Sequence, residues 1–425
     1  MKRCFVDQVG GRHWRALGAV LCVLAILLSG CGLGAPDQEP VTITFVYPEV
    51  DTAYYEPLAQ QFNESHPYIT VELEPRSWDM LQHVRTEEAD VIAADAFVLY
   101  PLREQGDLLS LEPFVEQDPA LDVADFYPGT LEVLSSEGEA WAIPAGVDVQ
   151  VMYYSRELFD QNAIPYPQVG WTWDDFLNSA LAVNDPDAGV YGYASPPGHF
   201  DALLFVYQHG GRIADDLQDP TRPTFDDPLT IEALDWYARL FHEYDVAPTD
   251  QEARKAFGSS RYAVYDGLRH GRVGTWMGDL SERGGLTWSV EWLVDWGMVS
   301  LPSESQSITN AAVEGYAISA ETGHLDASWE WILFLSQQVT YRLMPPRRSL
   351  AESAAYEQQV GQAVATVATA SMEHAVLLPP AVWVRFGGAM DIFGQAVDRI
   401  ISDESTPQEA MHWVQQVAEA GMTGQ

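Results

Sequence analysis

The sequence predicts a two-lobed α/β protein whose sheets are mostly parallel and flanked by helices. Strand-like and helix-like segments alternate from residue 41 onward, as is typical of parallel sheets with crossover helices. Removal of the N-terminal signal described below leaves about 390 residues, which is more than a single hydrophobic core usually organises. An apolar content of 47% is sufficient for a large buried core.

Residues 1–30 predict a cleaved signal peptide. Four basic residues accompany an apolar run, Ala16–Leu28, whose 13 residues are too few for a membrane-spanning helix. The run ends in LSGC, which resembles the cleavage box of bacterial lipoproteins and implies that Cys31 is lipidated. The alternative is a cysteine that follows a signal peptide by chance. We predict an extracytoplasmic protein attached to the bacterial cell membrane by its lipid anchor only, with residues 31–40 as a flexible lipidated tether.

The charge and cysteine content exclude several classes of function. All three cysteines lie within the first 31 residues, so the remaining body has no disulfide and no thiol chemistry. Residues 1–30 carry four positive charges and one negative charge, so the net charge falls from −40 to −43 without them. Such a chain repels nucleic acids and anionic lipids, and neither is expected as a partner. Lys255 is the only lysine after the signal, and it lies in no Schiff-base or P-loop context.

A βαβ unit is predicted at the start of the body. Val41–Tyr47 alternates as a strand, a helical pattern follows, and Ile69–Leu73 and Ala89–Ala94 are typical of the next two strands. Ligands of open α/β sheets gather at the carboxyl ends of the strands. The acidic and aromatic residues at those ends are therefore candidate ligand contacts, namely Tyr47, Asp51, Asp95 and Phe97.

The central stretch of the chain predicts a longer strand and two capped helices. Val147–Tyr154 alternates with period two, which places Asp148 and Gln150 on one face of a strand. Ser155 is a suitable N-cap for a helix over Arg156–Gln161. Thr172 and Asp175, three residues apart, predict a capping box for a second helix with one buried stripe.

This same stretch resembles the extracellular solute-binding lipoproteins of ABC importers, specifically the carbohydrate-type, maltose-binding-protein-like family. The matching runs are Trp141–Pro144, Tyr153–Ser155, Phe159 and Trp171–Phe176. Two positions depart from the family pattern, since Ser155 replaces an Asn and Glu139 stands where Lys is common. The resemblance implies a type II periplasmic-binding-protein fold with crossover hinge segments between the lobes. It also implies that Asp148 occupies an acidic position that often contacts the sugar.

The family resemblance implies further site residues near the C-terminal half. Residues 271–278 resemble a family strand that is often followed by a Trp, but here Asp279 follows instead and becomes the candidate. Trp276 either stacks on the ligand or fills the core of the strand. Glu314 opens a matching strand, and Trp383 lies in a late loop where relatives often present an aromatic residue.

The resemblance also implies the domain division. Residues 295–302 resemble the second crossover. The implied segments are 41–147 and 296–348 for lobe 1, and 148–295 and 349–425 for lobe 2, with C-terminal helices in the last.

These observations, together with the family resemblance, predict a protein that binds a sugar or oligosaccharide. The two lobes enclose the ligand by hinge closure, and the protein delivers it to ABC permease subunits. Sugar hydroxyls donate to carboxylates, and the C–H face of a sugar packs on aromatic rings. We expect a monomer without cofactor, metal site or catalytic residue, since no common catalytic motif is present. Two other functions stay open. One is a surface glycosidase, because 62 acidic residues allow many carboxylate pairs. The other is a binder of ferric iron, which Tyr153 and Tyr154 suggest, or of a peptide or other small solute.

Overall fold

The computed structural model describes residues 39–196, 198–217, 220–260, 262–287, 291–386 and 388–423. The predicted signal peptide, Cys31 and residues 31–38 of the tether therefore lie outside the described residues, as do the side chains of Ala381 and Trp383. Within the described part, no helix combines the length and the apolar character that crossing a membrane requires.

The described strands are, in chain order, β1 Val41–Pro48, β2 Ile69–Arg76, β3 Val91–Asp95, β4 Ser135–Ser136, β5 Glu139–Ala140, β6 Ile143–Ser155, β7 Tyr191–Ala194, β8 Val273–Asp279, β9 Trp296–Val299, β10 Thr309–Ile318 and β11 Ala375–Leu377.

The described α-helices are α1 Thr52–Ser65, α2 Trp78–Leu81, α3 Ala96–Gln105, α4 Glu112–Gln117, α5 Arg156–Gln161, α6 Trp173–Val183, α7 Asp201–His209, α8 Pro228–His242, α9 Asp250–Phe257, α10 Ala263–Arg269, α11 Leu325–Leu335, α12 Arg348–Ala351, α13 Ala354–Val360, α14 Gln362–Met372, α15 Pro380–Arg385, α16 Ala389–Ile401 and α17 Pro407–Thr423. Short 3₁₀ turns join several of them, at Glu49–Asp51, Thr86–Glu88, Val123–Asp125, Glu132–Leu134, Pro186–Ala188 and Leu280–Gly285.

The two lobes share one nine-stranded sheet within the described part. Its order is β2-β1-β3-β10-β6-β8-β7, with β11 beside β10 and β9 beside β6. Pairing is parallel where a crossover helix joins the strands, as between β1 and β2 and between β7 and β8. It is antiparallel where β10 meets β3 and β6, and where β6 meets β8. Strands β6 and β10 therefore run from one lobe into the other as a paired ribbon.

Aromatic side chains fill a separate core in each lobe. In lobe 1, the ring of Phe45 on β1 lies 4.9 Å from Tyr55 on α1 and 5.5 Å from Trp331 on α11. In lobe 2, Trp173 on α6 and Trp236 on α8 lie 4.3 Å apart. Helices α1, α6, α8 and α11 thus bury apolar side chains against the sheet or a neighbouring helix, which stabilises each core.

The local predictions for the central stretch are confirmed. The Ser155 hydroxyl accepts a hydrogen bond from Leu158 N at 3.3 Å, and α5 spans the predicted residues. The capping box of α6 is complete, since Thr172 Oγ1 accepts from Asp175 N at 3.2 Å and Asp175 Oδ2 accepts from Thr172 N at 2.9 Å. The predicted βαβ unit is also present, with β1 and β2 parallel around α1.

Strand β9 lies within residues 295–302, the predicted second crossover. It pairs with Met152–Ser155 at one end of β6. Strand β10 pairs with β3 of lobe 1 at one end and with β6 along its length. The strand that joins β6 to β3 in the sheet is therefore β10, which follows the predicted crossover in the chain.

Candidate ligand-binding site

One face of the β6–β10 ribbon forms a polar floor between the lobes. On β6, Asp148 and Gln150 are half-buried, whereas the alternating valines beside them are buried. The same alternation continues on β10, and the register pairs Ala312 with Asp148, so both side chains point to one face. Pairing of Gln150 with Asp279 extends this face onto β8. We call this face the cleft floor; its members are Asp148, Gln150, Asp279, Asn310, Ala312 and Glu314.

A buried arginine closes the lobe 1 end of the cleft floor. Arg342 donates from Nε to Asp51 Oδ1 and from Nη2 to Asp51 Oδ2, both at 2.8 Å, which is a bidentate pair. The Nη2 group also donates to Glu314 Oε1 at 2.6 Å. Burial opposes the charge of Arg342, but Glu314 and Asp51 outweigh it and hold the Arg342 pKa well above its usual value.

Glu314 titrates close to neutrality at this position. Burial raises the pKa of Glu314 to about 7, although the charge of Arg342 acts in the opposite direction. The negative charge of Asp51 adds to the rise. The carboxyl can therefore accept or donate a hydrogen bond near neutral pH.

The lobe 2 end of the floor holds two further carboxyl groups. Asp148 Oδ1 accepts from Ser281 N at 2.9 Å, and burial raises the Asp148 pKa. Burial raises the pKa of Asp279 well above its usual value, and the charges of Asp148 and Glu282 add to this. Both shifts favour protonated carboxyl groups, which can donate as well as accept hydrogen bonds.

A second arginine ties lobe 2 to the segment that carries Arg342. Arg283 Nη1 donates to Leu280 O at 2.8 Å and to Arg342 O at 2.7 Å. Its Nη2 donates to Tyr341 O. Both described arginines of the cleft are therefore bonded to protein acceptors, and the carboxyl groups outnumber them.

A cavity of about 200 Å³ adjoins the floor at Gln150. Phe200, 44% exposed, forms one wall, and aliphatic side chains form others. The Tyr207 hydroxyl and Asn310 Oδ1 are buried and have no hydrogen-bond partner in the structure. A second cavity of about 370 Å³ shares the Tyr207 wall and extends toward Arg212 and Asp215. The first cavity is lined by Gln150, Phe200, Leu203, Leu204, Tyr207, Thr309, Asn310, Val376 and Leu378.

The structure brings four of the predicted residues together, namely Asp51, Asp148, Asp279 and Glu314. Two others lie in packed cores. Tyr47 is 1% exposed and stacks on Phe45 with ring centroids 5.2 Å apart. Trp276 is 2% exposed and stacks on Tyr153 at 5.8 Å. Since Trp276 and Asp279 are three residues apart on β8, they lie on opposite faces of the strand. Of the two alternatives for Trp276, the structure shows the core position.

The remaining predicted residues lie at the edge of the site. Asp95 caps α3, where its Oδ1 accepts from Phe97 N at 2.7 Å and from Val98 N at 2.9 Å. The register of β3 and β10 places it opposite Glu314. Phe97 is 43% exposed on α3, and α3 contacts α15 of lobe 2. Trp383 belongs to α15, so the predicted loop is a helix; its side chain lies outside the described residues.

Sequence reasoning missed the residues that complete the site. Arg342 was missed because its partner, the predicted residue Asp51, is 291 positions away in the sequence, so no local pattern marks Arg342. Asn310 belongs to an alternation along β10 that a period-two search of this segment would have found. Tyr207 belongs to helix α7, which is buried almost throughout, and Phe200 directly precedes this helix; composition alone does not mark the exposed Phe200 ring.

Among the described residues, no group of three or more His, Cys, Asp or Glu side chains is arranged to hold an ion.

Comparison with known proteins gives a family match over most of the chain. Residues 47–338 match the model of the bacterial extracellular solute-binding proteins. An uncharacterised lipoprotein of Streptomyces antibioticus is 25% identical over 74% of this chain and 71% of its own length. A mannitol-binding protein of Pseudomonas aeruginosa is 28% identical, with the alignment spanning 40% of each chain.

A solved structure shows the same fold. The ABC substrate-binding protein of Listeria monocytogenes in complex with cycloalternan superposes with a TM-score of 0.75. The superposition covers 91% of this chain and 100% of the other at 18% identity, which supports likeness of fold alone.

Proposed function

This chain belongs to the bacterial extracellular solute-binding proteins, and from that premise we propose that it captures a sugar or oligosaccharide between its lobes. The ligand is an uncharged, polyhydroxylated solute, and the protein delivers it to the transmembrane subunits of an ABC importer.

One observation carries this proposal. The cleft floor joins carboxyl and amide groups to a cavity that has an aromatic wall and two unpartnered buried polar atoms. Buried polar atoms are nearly always hydrogen-bonded, so Tyr207 OH and Asn310 Oδ1 are suited to ligand hydroxyls. The ring of Phe200 is suited to the C–H face of a sugar. A hydroxyl both donates and accepts, and therefore matches a floor of mixed carboxyl and amide groups.

The charges of the floor favour a neutral ligand over an anion. Arg342 is already bonded to Asp51 and Glu314, and Arg283 to main-chain carbonyls. A phosphate or sulfate would have to displace these partners, at the cost of leaving buried carboxylates unpaired.

Hinge closure follows from the shared ribbon. We propose that lobe 1 comprises residues 41–147 with the return through β10 up to residue 348, and that lobe 2 comprises the remainder of the body. Closure over the ligand changes the relative orientation of the lobes, and the permease recognises the closed form. We further propose a monomer, lipidated at Cys31 and held outside the cytoplasm, that performs no chemistry on its ligand.

Titration of the mature protein tests the proposal. Thermal shift and Trp fluorescence would be followed against mannitol, maltose, maltotriose and arabinotriose, with ferric citrate and a tripeptide as rival ligands. We expect saturable stabilisation by at least one carbohydrate, recovered unaltered by chromatography. Cleavage of that carbohydrate, or stabilisation only by iron or peptide, would refute the proposal.

Paired variants locate the site. Asp148→Ala removes a carboxyl from the floor and should weaken binding about tenfold, the cost of about one lost hydrogen bond. Trp276→Phe is the control, because Trp276 faces the opposite side of β8 and should leave binding unchanged.

A further inference from the structure

Phe200 is exposed between two buried polar neighbours. Its ring is 44% exposed at the start of α7, whereas His199 is 6% and Asp201 3% exposed. The residues of α7 that follow, up to Gln208, are buried. The orientation of the Phe200 ring is therefore set by how its two neighbours are held.

Asp201 is held by three hydroxyl groups. Its Oδ1 accepts from Ser195 Oγ at 2.7 Å, and both oxygens accept from Tyr237 OH at 3.1 Å. The Tyr193 hydroxyl donates to Oδ2. Because all three hydroxyls donate to Asp201 inside a buried core, the Asp201 side chain is held in one position. Asp201 is the first residue of α7, so the same hydrogen bonds hold the first turn of the helix.

His199 is held from two sides in an unusual backbone conformation. Its φ of 50° lies in the left-handed region, which few residues other than glycine adopt. Its Nδ1 lies 2.8 Å from Ser195 Oγ, and its Nε2 lies 3.0 Å from Asp398 Oδ1 on α16. One turn earlier on α16, a Cβ added to Gly394 would lie 2.4 Å from Gly198 O. Helix α16 thus contacts the segment before Phe200 at two points.

We propose that His199 and Asp201 are positioning residues that hold the Phe200 ring as the aromatic wall of the ligand cavity. This inference rests on the proposed carbohydrate function and identifies what sets its stacking surface. A buried polar network of this kind adds little stability compared with apolar residues of the same volume, whereas it does specify one conformation. Specifying a conformation is what a preformed wall requires, because ordering the ring on binding would reduce affinity.

A double-mutant cycle tests the inference. His199→Asn tolerates the left-handed backbone but loses the contact to Asp398. Phe200→Leu removes the ring. The probe is whichever of mannitol, maltose, maltotriose and arabinotriose binds the wild-type protein, and Kd is measured by calorimetry at 25 °C. We expect Phe200→Leu to raise Kd about tenfold and His199→Asn about threefold to tenfold. In the Phe200→Leu background, His199→Asn should change Kd by less than about twofold.

A second histidine–aspartate pair just after the end of α16 supplies the control. His242 Nε2 lies 3.6 Å from Asp403 Oδ1, and both side chains are more exposed than those of His199 and Asp398. Asp403→Asn should leave Kd unchanged, whereas Asp398→Asn should raise it. A network with a purely structural role would lower Tm without changing Kd, or would change Kd equally in both backgrounds, and either result overturns the inference.

A ligand-independent measurement separates this inference from the proposed function. With 4-fluorophenylalanine at position 200, ¹⁹F NMR of the ligand-free protein should give one narrow resonance, which broadens or splits in His199→Asn. An unchanged resonance overturns the inference even if every carbohydrate fails to bind. Failure of all carbohydrates with the expected broadening overturns only the proposed function.

Discussion

Replacement of Glu314 by Gln should reduce the loss of stability that accompanies a rise in pH. The pKa of Glu314 is about 7 in the folded protein, against 4.5 for an ordinary Glu, because the carboxyl is buried. Between these values the folded state binds more protons than the unfolded state, so the free energy of unfolding decreases as pH rises. One unit of pKa shift corresponds to about 1.36 kcal/mol. Integrating the difference in bound protons from pH 5 to pH 8, we expect the titration of Glu314 to lower the free energy of unfolding by about 2.5 kcal/mol.

The assay is urea denaturation of the wild-type protein and of Glu314→Gln at pH 5 and pH 8. Other carboxyl groups titrate in both proteins, so the difference between the two pH-dependent losses isolates Glu314. We expect the variant to lose about 2.5 kcal/mol less than the wild type over this interval. Glu72→Gln, an exposed position on the end strand β2, is the control and should behave as the wild type does. Equal losses in wild type and Glu314→Gln would refute the reasoning that burial raises this pKa.

Three further predictions concern stability. Arg342→Met should destabilise the protein by about 3–5 kcal/mol in urea denaturation at pH 8, because two buried carboxylates lose their partner; a loss below about 1 kcal/mol would contradict this. Thr172→Ala should cost about 1 kcal/mol by removing the cap of α6, with Ser179→Ala on the same helix as a nearly neutral control. Raising NaCl from 0.05 to 1 M should raise Tm, since salt screens the self-repulsion of a chain with a net charge near −43; a Tm independent of salt would show that repulsion is negligible.

Local features of the fold could be predicted because their causes are local. Ser155 and Thr172 cap helices through atoms three residues away, and the alternation around Asp148 records a strand with one buried face. Such signals are complete within a short window of sequence. This explains why the bounds of α5 were correct without knowledge of the tertiary structure.

Features that depend on pairing between distant segments could not be predicted in the same way. Residues 295–302 resemble a family crossover in sequence, and no local pattern shows that β9 within them pairs with Met152–Ser155 of β6. Trp276 could not be assigned to ligand or core until the register with Gln150 showed that Asp279 faces the floor. Arg342 forms an ion pair with Asp51, although the two residues are 291 positions apart in the sequence.

The paired ribbon of β6 and β10 has a consequence for how the molecule folds. Each strand contributes one end to each half, and the ladder between them is interrupted only by a register shift at Glu314 and Gly315. Neither half can be excised with a complete sheet, so fragments corresponding to single lobes would lack strands that they need. The molecule should therefore melt as one cooperative unit, and its flexing should concentrate where the ladder is already irregular.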